Sequence, residues 1–284
     1  EYGKGMEGSR EIILKARQEG FCLSPRSKVL TSDLKWVMLK DIDIGQKIIA
    51  VDEDHPSGRG NGRKMRTSIV EGKHIVYKPA FRLKLDNGEE LVATGPHRFL
   101  TKVRSAHHTM WRTVESMKVG DEIRYVSRLW GKQTLEDAWF SGLLDGEGSL
   151  RAKSSGGAEV MICQTPGVVW NRIEEYAKSS GFSYRKEWDR RKYGVFDGKK
   201  NLRNKPLGRI VFNRMNELFE LIGKTRPSRF IGVRWWEGKD LPGKRSGKAW
   251  SKVVSIESVG RRKMIDLQTS AKTFIANGFV SHNS

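Results

Sequence analysis

The chain has 284 residues, with 53 Lys+Arg against 33 Asp+Glu, a formal charge of +20. That length allows one large domain or two ordinary ones, and a mean hydropathy of −0.58 leaves no apolar run able to cross a bilayer, so no membrane partner is expected. Two cysteines, Cys22 and Cys163, exclude a disulfide framework and a Cys-x-x-Cys zinc pair. Residues 1–21 carry no secretory pattern, so an intracellular, cytoplasmic setting is expected. The charge points to a polyanionic partner, nucleic acid first, because Lys and Arg displace condensed counterions from phosphates.

In chain order, Gly8 to Gln18 reads as a short helix with Ile12, Ile13 and Ala16 on one side. From Cys22 the pattern becomes short β-like runs: Lys28 to Leu30, Gln46 to Val51, Phe81 to Leu85 and Glu90 to Ala93. A turn at Asp86-Asn87-Gly88 precedes the last run, the Asn87-Gly88 pair being a strong hairpin signal because both residues tolerate positive φ, and a Gly-rich basic loop from His55 to Arg66 interrupts the series. Near Thr134 the period becomes helical, with Leu135, Ala138, Trp139, Gly142 and Leu143 spaced by three and four. Strands at Ser149 to Lys153 and Val160 to Gln164, a helix at Val168 to Ser179, strands near Phe182 to Trp188 and Gly208 to Phe212, and a helix at Asn213 to Ile222 complete an α-β-β-α-β-β-α order. Thr134 to Trp250 holds 23 Lys+Arg and 14 Asp+Glu, a net of +9. Arg151, Lys153, Arg185, Lys186, Arg190, Arg191 and Arg209 fall on or beside its strands and give the sheet a basic face. β-like composition returns at Val253 to Ile256, Lys263 to Leu267 and Thr273 to Ala276, so the middle domain reads as an insert.

The ends carry the chemistry. Asn283 stands between His282 and Ser284, and an Asn amide can attack its own backbone carbonyl, closing a succinimide and breaking the peptide bond, while the imidazole polarises that carbonyl or moves the proton. Cys22 follows Phe21, and its thiol can convert the Phe21–Cys22 amide into a thioester when the bond is strained or the departing nitrogen is protonated. Thr94 and His97, three positions apart, can aim an imidazole at one amide while the hydroxyl fixes it. Singly, each residue has an ordinary structural role; their order and spacing together carry the argument.

In that order these residues resemble an intein, a self-splicing insert of the hedgehog/intein (Hint) fold. Cys22-Leu23-Ser24 with Val29-Leu30-Thr31 resembles the first intein block, Gly88 to His97 the Thr-x-x-His block, and Met264 to Leu267 with Thr273 to Asn283 the last two. Trp111 to Ile123, with Met117 to Ile123 at its end, resembles a strand entry that such domains carry. The resemblance implies a mostly β splicing domain made of 22–133 and 251–283, a host remnant in 1–21, and Ser284 as the first host residue beyond. It also implies the reaction: Cys22 forms the thioester, helped by Thr94 and His97; Ser284 attacks it to give a branched ester; Asn283 cyclises with help from His282; and the freed flanks rearrange from ester to amide. Asp266 matches an aspartate that coordinates these steps. The partners would be the covalently joined host segments, and splicing would take no cofactor. The chain departs from the pattern at Lys272, where many inteins carry a histidine.

Trp139 to Gly148 resembles the signature helix of LAGLIDADG homing endonucleases, which makes the insert, 134–250, an α+β endonuclease domain by expectation. Small Ser141 and Gly142 would let two such helices approach closely. Glu147 matches the metal-binding acid and Asp145 is either a second metal acid or a helix-end cap, implying Mg2+ for hydrolysis of double-stranded DNA. One motif alone calls for a homodimer through that helix; a unit that no longer cleaves but still binds DNA on its basic strands is the other reading. Against splicing stand a DNA-binding nuclease with inactive β flanks, and an autoprocessing domain that cleaves without ligating, which the Asn283-Ser284 pair argues against.

Overall fold

The computed structural model describes residues 20–56, 62–103, 109–153, 157–189, 193–196, 199–202, 206–241 and 249–283. The expected helix at Gly8 to Gln18, most of the segment 1–21, Arg190, Arg191 and Ser284 lie outside the described residues. Two compact units divide the chain: Glu1–Leu129 with Gly247–Ser284, and Trp130–Ser246, which interrupts the first in sequence.

The first unit joins twelve strands in one sheet. Its longest members, Met65–Leu85 and Trp250–Thr269, run antiparallel in register from Val253 opposite Leu85 to Thr269 opposite Val70. The runs at Phe81 to Leu85, Val253 to Ile256 and Lys263 to Leu267, expected as separate short strands, are therefore segments of two long ones. Gly260, at φ +71°, sits in a bulge between Ser258 and Arg261, so turn-like composition appears where pairing in fact continues. Leu23, Ile48, Leu83, Phe99, Ile123, Phe274 and Phe279 fill the core, each contributing about 1.5–3 kcal/mol on leaving water.

Two pairings place the chain ends. Cys22–Leu23 lies between Trp250–Thr269 and Glu90–Thr94, with Cys22 opposite Asp266 and Leu23 opposite both Ile265 and Ala93. Phe279–His282 pairs with Thr273–Ala276 on one side and Arg98–Lys102 on the other, His282 opposite Arg98. The last hairpin turns on Asn277 (φ +48°) and Gly278 (φ +87°), the geometry of a type I′ turn. A Cβ at Gly278 would stand 2.3 Å from the Ser127 carbonyl oxygen, so no other residue fits there without movement. The turn at Asn87-Gly88 lies where the sequence places it: Leu85 N donates to Glu89 O at 3.0 Å, which leaves Asp86, Asn87 and Gly88 in the loop. Of these three, Gly88 takes a positive φ, +84°, while Asp86 and Asn87 do not.

The second unit has a four-stranded antiparallel sheet in the order Gly148–Ala152, Ala158–Gln164, Leu207–Phe212, Arg185–Asp189. Its helices are α1 (Leu135–Glu147), α2 (Val168–Ser179), α3 (Met215–Thr225) and the single turn α4 (Ser228–Ile231). A hairpin of Tyr193–Phe196 and Lys199–Leu202 adds to the expected order. α1 opens with a capping box: Asp137 N donates to Thr134 Oγ1 at 3.2 Å and Thr134 N to Asp137 Oδ2 at 2.8 Å.

The buried face of α1 is Asp137, Phe140 and Leu144, whereas the stripe read from sequence lies outward: Leu135 is 89% exposed, Ala138 and Gly142 are exposed, and Trp139 and Leu143 are half-buried. The reason is Asp137, a polar residue whose carboxylate is satisfied inside by the cap, by Tyr176 Oη at 2.8 Å and by Lys224 Nζ at 3.2 Å. Burial alone would raise its pKa, but these donors outweigh burial and hold it below the ordinary value. Phe140 stacks on Tyr176 with ring centres 4.2 Å apart.

Candidate active site

Cys22 is fully buried beside Ala80 and Met264. Its backbone N–H reaches Thr94 Oγ1 at 3.1 Å and Gly20 O at 3.1 Å, and the Thr94 hydroxyl donates to Gly20 O in a short hydrogen bond. Thr94 ends the strand that holds Cys22–Leu23, and the turn Thr94-Gly95-Pro96-His97 closes with His97 N donating to Thr94 O at 3.1 Å. One strand pairing and one tight turn thus bring both side chains to the Phe21–Cys22 bond.

His97 is fully buried and neither ring nitrogen completes a hydrogen bond. Burial drives its pKa down to about 3, with the Phe21 main chain pulling upward and His282 adding to the depression, so the ring is neutral at physiological pH. The Cys22 thiol is pushed up to about 12, first by burial and then by the Asp266 carboxylate opposite, with Lys78 opposing. Asp266 is itself only 1% exposed. A thiol in this site rests protonated and needs a proton acceptor when it attacks.

At the other junction Asn283 is fully buried; its Nδ2 donates to Thr269 Oγ1 at 3.3 Å, its backbone N to Lys272 O at 3.0 Å, and its Oδ1 has no partner. His282 places Nε2 3.0 Å from Glu53 Oε1, while Nδ1 completes no hydrogen bond of full geometry. Its ring lies edge-on to Trp111 at 4.8 Å and to Phe21 at 6.0 Å. Burial lowers its pKa; Glu53 and the Asn283 main chain oppose this, and Arg98 adds to it. Glu53 also pairs with Lys272 Nζ at 3.0 Å. Burial would raise the Glu53 carboxyl, but Lys272 and His282 together bring it below its ordinary value.

The first unit thus links Cys22 to Thr94 and Asp266, His97 to Phe21 and His282, and His282 to Asn283. At the junctions His97 Nδ1 and Nε2, His282 Nδ1 and Asn283 Oδ1 complete no hydrogen bond of full geometry, while the Phe21 main chain lies near enough to act on His97 and the Asn283 main chain on His282. Glu53 and the use made of Lys272 have no counterpart in the sequence reading. The Glu53–His282 contact spans 229 positions and carries no local pattern.

In the second unit Asp145 spends both carboxylate oxygens on the start of α4: Oδ2 accepts from Ser228 N and Oγ at 3.0 Å, and Oδ1 from Arg229 N at 3.0 Å. Burial would raise its pKa, but these donors lower it. Asp145 thus ties the end of α1 to the first turn of α4. Glu147, at the end of α1, is exposed, and no group of three or more His, Cys, Asp or Glu able to hold a metal occurs among the described residues.

Sheet alternation sorts the basic residues. Val160, Ile162, Ile210 and Phe212 are buried, while the opposite parity holds Arg151 across from Glu159, Arg209 across from Cys163 and Glu187, and Arg185 across from Val211. Lys153 pairs with Glu159, and Arg185 with Glu159 at 3.4 Å and Glu187 at 2.8 Å. Lys186 takes the other parity, across from Ile210, with its Nζ 2.5 Å from Glu174 on α2. Arg190 and Arg191 lie outside the described residues.

Among solved structures, the Ssp DnaB mini-intein variant M86 is 14% identical over 94% of this chain and 97% of its own, with a TM-score of 0.44. A DnaB intein from Synechocystis sp. PCC 6803 is 14% identical over 93% and 98%, at 0.41, and the gp41-1 intein 12% identical over 92% and 98%, at 0.39. These superpositions are loose. No curated protein matches the chain. Residues 29–283 match the family described as the intein splicing domain, a span that includes Thr94, His97, Asp266, His282 and Asn283 and begins downstream of Cys22. With a β-rich sheet interrupted in sequence by a helix-and-strand module, the chain belongs to the intein splicing domain family.

Proposed function

We propose that the chain excises the segment from Cys22 to Asn283 and joins its flanks. The Cys22 sulfur attacks the Phe21 carbonyl carbon, the bond from that carbon to the Cys22 nitrogen breaks, and the thiol proton ends on the departing nitrogen. Thr94 holds that nitrogen, His97 stands by to relay the proton, and Asp266 faces the sulfur. The Ser284 hydroxyl then attacks the thioester and frees the Cys22 thiol. Asn283 closes on its own carbonyl, releasing the nitrogen of residue 284, and the ester linking the flanks shifts to the amide. The observation that carries this reading is the contact between Phe21 and His282 rings, 6.0 Å apart, beside the unpaired atoms of His97, His282 and Asn283.

The test is the intact mass of the chain carrying longer flanks on both sides, followed over hours with and without a thiol reductant. An excised species from Cys22 to Asn283 together with a joined-flank product is expected. A precursor mass that never changes would overturn splicing and leave DNA binding by the second unit as the function.

We infer that the second unit binds double-stranded DNA as a LAGLIDADG-type homing module. Arg151, Lys153, Arg185 and Arg209 share one face of its sheet, suited to a phosphate backbone. The outward stripe of α1 supports pairing with a second copy: Leu135 is exposed, and a Cβ at Gly142 or Gly146 would meet nothing within 4 Å. One chain does not fit Mg2+ by itself, because Asp145 is committed to α4 and Glu147 supplies a single carboxylate. Cleavage would need Glu147 from each of two copies. Duplex binding by the separate or intact chain, with Mg2+-dependent nicking scored alongside, tests this reading.

A further inference from the structure

We propose that Glu53 is a positioning residue for cleavage after Asn283: it grips His282 by Nε2, Lys272 braces it, and Nδ1 is thereby the ring atom left to face Asn283. This rests on the splicing reading and adds a residue to its last bond-breaking step.

Glu53 follows the strand Lys47–Val51 and is held at both its carboxylate and its main chain. Oε1 lies 3.0 Å from His282 Nε2 and Oε2 lies 3.0 Å from Lys272 Nζ. Its backbone carbonyl accepts from Trp111 Nε1 at 2.9 Å and from the Arg63 guanidinium in a short hydrogen bond. The same Trp111 packs edge-on against the His282 ring, and Arg63 lies over Trp111 at 5.3 Å. Carboxylate and imidazole are thus fixed by one set of neighbours. Lys272, in the left-handed region at φ +55°, accepts Asn283 N on its own carbonyl, so a single residue ties the brace to the reacting asparagine.

A histidine with one nitrogen held by a carboxylate presents the other in a defined state and gains stability when charged. In the cleavage step Asn283 Nδ2 bonds to the Asn283 carbonyl carbon and the bond from that carbon to the nitrogen of residue 284 breaks. The departing nitrogen takes a proton from Nδ1 of the charged His282, and the ring recovers the proton lost by Nδ2. The products are a chain ending in a succinimide and a flank with a free amine, with no oxidant or other reactant required. Glu53 stabilises the charged ring, while Arg98 on the neighbouring strand, His97 nearby, and Lys272 and Arg63 around Glu53 oppose that charge or draw on the carboxylate.

The experiment uses the full chain with Cys22→Ala and a flank beyond Ser284, so that only cleavage after Asn283 is read by intact mass across pH. Glu53→Gln is expected to slow release about tenfold or more at neutral pH. It should also move the limb on which rate falls with rising pH to lower pH by about one unit, because the charged ring loses its carboxylate. Lys272→Met should move that limb the opposite way, since Glu53 then serves His282 alone, and Glu53→Asp should recover part of the rate. A purely structural role would lower the rate without moving the limb. In a chain carrying Cys22→Ala and Asn283→Ala, which cannot cleave, the His282 nitrogen shifts should report the Nε2–H tautomer, lost with Glu53→Ala. The parent's rate and limb persisting in Glu53→Gln would overturn the inference alone. A parent that releases no flank would overturn the splicing reading and this inference with it.

Discussion

Cys22 and Asp266 stand opposite each other on neighbouring antiparallel strands, both buried, so the thiol faces a carboxylate in a site closed to water. This arrangement keeps the thiol protonated at rest and has consequences outside the reaction itself.

With its pKa pushed up to about 12 from 9.0, the Cys22 thiol should resist alkylation at pH 8 in the folded precursor, as judged by mass after iodoacetamide, while Cys163 serves as internal control. The sign for stability follows from linkage: between pH 9 and 12 the unfolded chain loses this proton and the folded chain keeps it, so stability falls as pH rises through that window. Denaturant titrations in this range should show a shallower decline for Cys22→Ala. Equal labelling of both cysteines in the native precursor would contradict the burial argument.

His97 acts at the other end of the pH scale. Its folded pKa of about 3 lies below the ordinary 6.5, so its share of stability is complete above pH 6.5 and is lost as the unfolded chain gains a proton below that. The loss should run at up to about 1.4 kcal/mol per pH unit. His97→Gln should flatten the acid limb of the stability profile while slowing thioester formation, whereas an acid limb identical to the parent's would place the ring in water.

Variants at the junctions should separate the two bond-breaking reactions. Thr94→Val removes the acceptor for Cys22 N–H and the donor to Gly20 O, a loss of about 1–3 kcal/mol at a buried site. Thioester formation, read by hydroxylamine cleavage, should slow about tenfold to a hundredfold, with cleavage after Asn283 kept. Cys22→Ala should abolish ligation, and Asn283→Ala should abolish C-terminal cleavage while the thioester still forms. Unchanged processing in either would refute the residue assignment.

For the second unit, Gln at Arg151, Lys153, Arg185 and Arg209 together should weaken binding to a duplex. The dependence of log affinity on log salt should flatten by about 0.9 for each phosphate that is no longer neutralised. Lys186→Gln, on the helix-facing side and paired with Glu174, should leave that slope unchanged. Anisotropy titrations at several salt concentrations decide between them, and an altered slope for Lys186→Gln would reverse the assignment of faces.

Much of the proposed junction chemistry is written in the sequence because it depends on residues adjacent in the chain: Phe21 with Cys22, and His282 with Asn283. The Thr94-to-His97 spacing is likewise local, since one turn sets both side chains. The insert announces itself through a change of period near Thr134, and its strand and helix order follows from patterning of buried Val160, Ile162, Phe212 and Leu218.

Tertiary structure decided what patterning could not. Pairing across the sheet merged short β-like runs into Met65–Leu85 and Trp250–Thr269, because a bulge at Gly260 carries turn chemistry without ending a strand. The inward face of α1 was decided by Asp137, whose buried carboxylate finds Tyr176 and Lys224, partners that no local period marks. Strand parity sent Lys186 to the helices and Arg185 to the open face. Above all, Glu53 meets His282 across 229 positions. Covalent neighbours supply the reacting bonds, but the groups that hold an imidazole to one of them arrive only when the sheet closes, since hydrogen bonding depends on distance in space and not along the chain.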